Sequence, residues 1–429
     1  MTELKQDYGS PRWTNEIADC SMPMTFDTYS KCSYGCLYCF SFFQKSHTVN
    51  GYITGRVRSV NPEKVKKLFR AAMANEPNRV SKVERQFFPY IQDRRVMQWG
   101  GLADQFDEWE RKYGVTLELL HFFDEIDYPL SFSTKAVWWT EDERYMELFR
   151  KHTHNWHVKI SIITNSDEKS RAMERGVPVT SERLKAIKRL TDIGVHVTLR
   201  LRPYIIGLGE DWKDLILRAH EAGADSVTTE YFCMESRADE RLKKRYQQMS
   251  DIVGYDIHQF YMAHSKQSGY KRLNKQIKAP TIKAMREWTH ELGMRFHVSD
   301  AHCRECNDAC NCCGVPPEFG VSQTGNIGQA IIVAREKGEV HWSDISESIE
   351  RYMSYPWTET AGYNTGSNRK RAENFTMTMG DFLHNLWNNP KGNLSPMKGY
   401  GKCLIADRVD ENGDVVYRYN AEEDHAVSK

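Results

Sequence analysis

Cys32, Cys36 and Cys39 stand in the run Cys-Ser-Tyr-Gly-Cys-Leu-Tyr-Cys-Phe, a C-x3-C-x2-C triplet with an aromatic residue directly before the last cysteine. Three thiolates this close together can cap three corners of a cubane iron–sulfur cluster. A four-iron cluster needs a fourth ligand, and the triplet supplies none, so one iron is left open to something other than cysteine. A structural zinc site would want four ligands closing a tetrahedron, and only His47 lies close after Cys39. A disulfide would need an oxidising compartment, and nothing in the chain points to one.

A second group follows far downstream: Cys303, Cys306, Cys310, Cys312 and Cys313, spaced C-x2-C-x3-C-x-C-C. Exposed free thiols at that density would be a liability, so metal binding is the reading. Four ligands suffice for either iron–sulfur or structural zinc. Cys303, Cys306 and Cys310 are the surest, and Cys312 and Cys313 compete for the fourth place. Cys233, in Glu230-Tyr-Phe-Cys-Met-Glu235, has two readings: a cavity-facing thiol able to quench a radical, the one catalytic candidate of the chain, or a small core residue.

These groups need a scaffold. The chain has 429 residues, enough for two or three domains or for one α/β barrel with an appendage. Lys plus Arg number 59 against 58 Asp plus Glu, so overall charge argues for neither a nucleic-acid nor a membrane partner. No apolar run approaches the length of a membrane span, and the N-terminus Met-Thr-Glu-Leu-Lys-Gln-Asp-Tyr lacks the apolar stretch of a signal peptide. The expectation is a soluble, cytoplasmic protein in a reducing setting.

Short β-rich runs alternate with helical patterns, which favours parallel βα units. Strands are expected at Thr25–Ser30, Arg95–Trp99, Leu130–Thr134, His157–Thr164, Val195–Leu201 and Ser226–Phe232. Helices are expected at 61–74, where Asn61 can cap and Pro62 can start, and at 181–193. Gly194 and Gly223 fall where helices should end. Six such units make an α/β fold, a partial (β/α)6 barrel. Chemistry in barrels sits on loops after the C-terminal ends of strands, where the triplet, Gly100-Gly101, the Ser131–Lys135 stretch and Thr164-Asn165 all fall. Beyond strand six, one long helical stretch is expected over 239–267, a helix over 280–292 and a seventh strand over 294–299. A helix near 344–352 and an Asn-Gly hairpin at 410–414 follow. The divisions expected are an N-terminal extension 1–24, a barrel core 25–235, a helical connection with the last strand 236–300, a metal-cluster loop 301–319 and a C-terminal extension 320–429.

The triplet spacing is the one used by the radical S-adenosylmethionine (SAM) superfamily, and the chain resembles its photolyase-like, spore photoproduct lyase-related family. Residues carrying the likeness include Gln98-Trp-Gly-Gly-Leu-Ala-Asp-Gln-Phe106, Phe132-Ser-Thr-Lys135, Val158–Thr164, Glu174-Arg-Gly-Val-Pro178 and Gly194–Gly207, roughly residues 12 to 235. The resemblance implies a lyase- or oxidoreductase-type enzyme with one [4Fe-4S] cluster on Cys32, Cys36 and Cys39. SAM would sit on the open iron, to be cleaved by one electron to a 5′-deoxyadenosyl radical. It implies cofactor contacts from the Tyr38 backbone to the adenine and from Gly100 and Gly101 to the SAM amino group. Ser133, Lys135, Thr164, Asn165 and Ile206 belong to the same cofactor set. The acidic residue that often follows the glycine pair is Leu102 here, with Asp104 as the nearest substitute. Arg200 and Arg202 are taken to point to alternate faces of the fifth strand, so that one enters the interior and grips the SAM carboxylate.

The resemblance also implies a reductant such as flavodoxin or ferredoxin, and an auxiliary iron–sulfur cluster in preference to zinc at the second cysteine group. The family's repair enzyme draws hydrogen from a cysteine shortly after the cluster loop. This chain has none between Cys39 and Cys233. For substrate, the interleaved Tyr355, Trp357, Tyr363, Arg369, Lys370 and Arg371 suit a nucleotide or nucleic acid by stacking and charge, although an ordinary aromatic-rich loop has the same composition. A peptide or small metabolite is the alternative, and a non-catalytic iron–sulfur electron carrier is the reading from another class.

Overall fold

The computed structural model describes residues 4–14, 20–41, 55–236, 240–265, 270–300, 303–308, 311–319, 326–354, 378–392 and 395–424. Its centre is one eight-stranded sheet: β1 (Arg12–Trp13), β2 (Met24–Phe26), β3 (Met97–Trp99), β4 (Leu130–Thr134), β5 (Trp156–Ser161), β6 (His196–Tyr204), β7 (Ser226–Tyr231) and β8 (Arg295–Val298). The strands lie in chain order, parallel throughout except for β1, which runs antiparallel to β2. A sequential parallel order requires every crossover to return on the same side, so the helices form one outer layer and the sheet curls. This is the α/β partial barrel the sequence pattern calls for, with the seventh parallel strand included.

Period-two alternation decides which face is which. Trp99 meets Phe123 of the helix Val115–Glu125 at 5.6 Å, and Phe132 meets Phe149 of the helix Glu143–Lys151 at 5.1 Å, so these residues point outward to the helices. Such ring pairs contribute about 0.5–1.5 kcal/mol each beyond their buried area. The opposite positions face the barrel interior and are polar: Gln98, Ser131, Ser133, His157, Lys159, Ser161, Thr198, Arg200, Ser226, Thr228 and His297. Registers such as Ser133↔Lys159 and Arg200↔Thr228 set them side by side.

Several boundaries differ from the sequence expectation. The first strand stops at Phe26 because the buried Asp27 turns its carboxylate to the amides of Leu102 (2.7 Å) and Ala103 (3.0 Å). The single helix expected over 239–267 is two, Glu240–Val253 and Ile257–His264. Gly254, at φ +83°, ends the first, and Asp256 caps the second by accepting from the Gln259 amide at 2.9 Å. The next helix begins at Lys275, with Pro280 inside it rather than at its start. Pro280 forgoes one backbone bond, and the fully buried Lys278–Asp300 ion pair (2.7 Å) holds that turn in place.

Downstream, the strands Glu339–Val340, Val415–Tyr419 and Leu404–Val409 form a small antiparallel sheet with the expected turn at Asp410–Asp414. Its neighbour, the helix Ser346–Met353, is tied to the barrel by Arg351 and Tyr352 on Asp93. The segment 311–315 enters the barrel. The Thr228 hydroxyl donates to the Cys312 carbonyl (2.6 Å), the Thr198 hydroxyl donates to the Gly314 carbonyl (3.4 Å), and His297 Nδ1 meets the Asn311 carbonyl (2.8 Å). Gly314 sits at φ +77° where a Cβ would meet Thr198 Oγ1 at 2.3 Å, so only glycine passes there. Among the described residues no helix is long and apolar enough to cross a membrane.

Candidate active site at the C-terminal ends of the strands

The cysteine loop leaves β2 at its C-terminal end, and three sets of contacts hold it. Gly35–Cys36 pairs antiparallel with Glu174–Arg175, setting Cys36 opposite Glu174. The Leu37 amide donates to the Met173 carbonyl at 2.9 Å, and Arg245 donates to the Cys36 carbonyl at 2.9 Å. The Tyr38 hydroxyl donates to Glu174, whose other oxygen meets Arg183 at 2.5 Å with both side chains fully buried. Arg183 in turn donates to the Ser161 carbonyl (2.5 Å) and Ser170 Oγ (2.7 Å). Arg183 Nε alone is left without a partner, and the pair braces the aromatic between two of the cysteines. Asp107 accepts from the Ser33 amide and caps the next helix through the Trp109 amide (3.0 Å).

Cys36 is buried, while Cys32 and Cys39 are partly exposed. Burial pushes the Cys36 thiol up to about 12. Among the described residues no three cysteine sulfurs lie within 4.8 Å of one another, so the loop does not converge on a single ion. Its donor set, three thiols and no fourth, suits a multi-iron cluster with one open corner.

Beside the loop lies the turn after β3. Gly100 has φ +91°, and a Cβ there would meet Gln105 Oε1 at 2.3 Å and the Ser133 carbonyl at 2.5 Å. At Gly101 a Cβ would meet the Arg12 guanidinium at 2.9 Å. Asp104 does not face a ligand: it accepts from Thr134 Oγ1 (2.7 Å) and the amides of Lys135 (2.6 Å), Ala136 (3.2 Å) and Phe106 (3.0 Å), staple of the turn after β4. Lys135 extends its ammonium over the Tyr38 ring at 5.8 Å.

Below this rim the interior holds polar atoms with nothing to bond. Ser133 Oγ, Lys159 Nζ and both amide atoms of Gln105 are buried without hydrogen-bond partners. An ammonium buried bare is costly, and burial, with Arg200 and Arg202 adding to it, pulls the Lys159 pKa down. Arg200 donates to Ser161 Oγ at 3.2 Å, and burial pulls it to about 10. The expectation that Arg200 and Arg202 face opposite ways is wrong: residues two apart on a strand share a face, and the intervening Leu201 is the one buried outward. Arg202 pairs with Glu230. The result is a cationic, unsatisfied socket beside a turn in which Gly100 is packed against Gln105 and the Ser133 carbonyl, and its charge fits a carboxylate-bearing cofactor.

Other candidates are placed as follows. Thr164 sits at the end of the segment after β5, its carbonyl accepting from Thr180 (2.8 Å). Asn165 has its amide oxygen engaged by Arg218 (2.6 Å). Ile206 lies half-buried in the loop after β6. Cys233 follows β7, its Sγ 3.6 Å from the Tyr231 carbonyl and its pKa raised by burial. The second cysteine group divides. Cys303 and Cys306 are buried on a short turn after β8, next to the Lys275–Glu305 pair (2.9 Å). Cys313 lies in the barrel interior, 3.6 Å from Gln98 Oε1, with Cys312 beside it. Cys310 is outside the described residues, as are His47, Tyr355, Trp357, Tyr363, Arg369, Lys370 and Arg371.

Sequence reasoning missed Asp27, Glu174 with Arg183, and Lys159. Only the last had a readable signal, a cation between the apolar Val158 and Ile160 of a strand.

No family model and no curated protein matches the chain. Among solved structures, it is similar to a spore photoproduct lyase variant with bound AdoMet and dinucleoside spore photoproduct, at 14% identity and TM-score 0.47, covering 67% of this chain and 80% of that one. It is also similar to SuiB of Streptococcus suis bound to precursor peptide SuiA, at 12% identity and TM-score 0.42, covering 68% of this chain and 52% of that one. Likenesses of this degree carry no argument about activity.

Proposed function

We propose that the chain is a radical SAM enzyme. The observation that carries this reading is the C-x3-C-x2-C loop at the C-terminal end of the first parallel strand, set over an interior where Ser133 Oγ and Lys159 Nζ are buried without partners. Cys32, Cys36 and Cys39 would hold three irons of a [4Fe-4S] cluster. When bound, that cluster and SAM supply a 5′-deoxyadenosyl radical for hydrogen abstraction. The residues of the chain bind and orient. The backbone at Gly100 and Gly101 receives the SAM amino group, and Ser133, Lys159 and Arg200 receive its carboxylate by charge-assisted bonds. The Tyr38 backbone and Ile206 flank the adenine. The Glu174–Arg183 pair fixes the loop through Tyr38, so the cysteines keep one spacing.

The substrate we favour is a nucleotide or nucleic acid, with a peptide as the second reading, and the electron donor a flavodoxin or ferredoxin in a reducing cytoplasm. Cys303 and Cys306, with Cys310, would carry an auxiliary iron–sulfur cluster, Cys312 and Cys313 standing apart from it on the strap inside the barrel, and Cys233 the hydrogen-donor role. The test is anaerobic reconstitution with iron and sulfide, followed by reduction with SAM present. Expected are about four irons at the first site and formation of 5′-deoxyadenosine, both lost when Cys32, Cys36 and Cys39 are changed together to Ala. Turnover that persists in that variant would refute the assignment.

A further inference from the structure

At the opposite, N-terminal end of the barrel, the turns leading into β4 and β5 bring Asp127, His152 and His154 together. Asp127 Oδ1 lies 3.3 Å from His152 Nδ1 and 3.1 Å from His154 Nε2, and the three ligand atoms all fall within 4.8 Å of one another. Among the described residues no other trio of His, Cys, Asp or Glu does so.

The Nε2 of His152 is 2.8 Å from Asp124 Oδ1, and a carboxylate only accepts, so Nε2 donates there. The other ring nitrogen, Nδ1, is the one turned to the cluster, facing Asp127 Oδ1 and Asn155 Oδ1, the latter at 3.2 Å. The Asn155 amide cannot turn away, because its Nδ2 donates to the Asp127 carbonyl (3.2 Å) and Oδ1 (2.8 Å). Arg94 covers the far carboxylate oxygen at 3.4 Å, and the His152 ring is stacked on Trp156 at 4.3 Å. Two imidazole nitrogens and a carboxylate oxygen therefore converge where these turns meet.

We propose that Asp127, His152 and His154 form a site for a divalent transition ion of borderline softness, zinc in particular. Two imidazoles and one carboxylate are a zinc donor set, and Zn–N and Zn–O bonds of about 2.0–2.1 Å set tetrahedral ligand atoms about 3.3 Å apart, close to the separation of Asp127 Oδ1 from each imidazole. Asp124 on the far nitrogen of His152 is the carboxylate–histidine partner that orients metal-bound imidazoles. His154 and Asp127 are 60% and 56% exposed, which leaves the fourth position to water. The site joins two turns on the face away from the cysteine loop, so it clips the scaffold and takes no part in the chemistry above.

The test is zinc content after equilibration and dialysis of the full chain, compared with His154→Ala and Asp127→Asn. Metal held by cysteines is common to all three proteins, so the difference reads this site. Expected is a loss of about one zinc per chain in each variant, with zinc raising the unfolding temperature of the natural chain but not of His154→Ala. Asp124→Asn should weaken that zinc about 10–100-fold. His154 is exposed, so its replacement leaves folding intact. Equal zinc content and equal thermal shifts in the natural chain and His154→Ala would overturn the proposal and leave the trio as a hydrogen-bonded cluster between two turns.

Discussion

Lys159→Met should make the ligand-free protein more stable while weakening its hold on SAM. Lys159 is 1% exposed and its Nζ has no hydrogen-bond partner, while Arg200 and Arg202 add repulsion and burial favours the neutral amine. Methionine keeps the length and apolar stem but removes the charge. A buried, unsatisfied polar group costs about 1–3 kcal/mol, more when charged, so relief of about that size is expected, raising the denaturant midpoint with the slope unchanged. In the SAM-bound state the sign reverses. A charge-assisted bond to the carboxylate is worth about 1.5–3 kcal/mol, which predicts roughly ten- to hundredfold weaker SAM binding in the variant. Urea unfolding of the ligand-free proteins reads the first half, and equilibrium dialysis with SAM the second. A variant no more stable than the natural chain would refute the reasoning about the bare ammonium. A more stable variant that binds SAM equally well would refute the assignment of the socket.

Glu174→Gln should destabilise by about 3–5 kcal/mol, because it strands the fully buried Arg183; denaturant unfolding checks it, and a loss below about 1 kcal/mol, as for a surface pair, would mean that the charge is not isolated. Acid should weaken the barrel through His157, which contacts Ser131 Oγ (3.0 Å) and Thr198 Oγ1 (2.7 Å) and whose pKa burial holds well below 6.5. The unfolded chain takes up that proton below pH 6.5 and the folded chain does not, so stability is full above 6.5 and falls as pH drops below it. The slope is about 1.4 kcal/mol per pH unit for one proton. His297, held at about 4 by burial, adds to the same limb, and His157→Gln should flatten it in unfolding curves measured across that range.

What the sequence made legible follows from how local each signal is. The order and type of the barrel strands came through because β5 and β6 alternate apolar with polar residues, and Gly194 and Gly223 stop their helices at φ +88° and +94°. The cysteine triplet and glycine pair were legible because their spacing along the chain is itself the signal. The bracing of that loop was not, because Tyr38 meets Glu174 across 136 positions and no period links them. The break at Gly254 was readable in principle, yet charged residues on both sides made one helix the simpler pattern. The orientation of Arg200 and Arg202 needed only correct use of the two-residue period. The split of the second cysteine group is tertiary: Asn311 and Val315 bond within the strap that carries Cys312 and Cys313 inward, away from the turn of Cys303 and Cys306.

That strap has an implication for how the molecule can be divided. An open, curled sheet has no floor of its own, and here the floor is made by residues 311–315, which arrive after every barrel strand has been laid down. A fragment ending with β8 would carry all seven parallel strands and the whole cysteine loop, yet Thr228 and His297 would lose the carbonyls they meet. The chamber is thus sealed last in chain order, and its depth is set by a segment that belongs to neither the strands nor the loops of the rim. In a folding chain, closure of that chamber would wait until residues 311–315 have emerged.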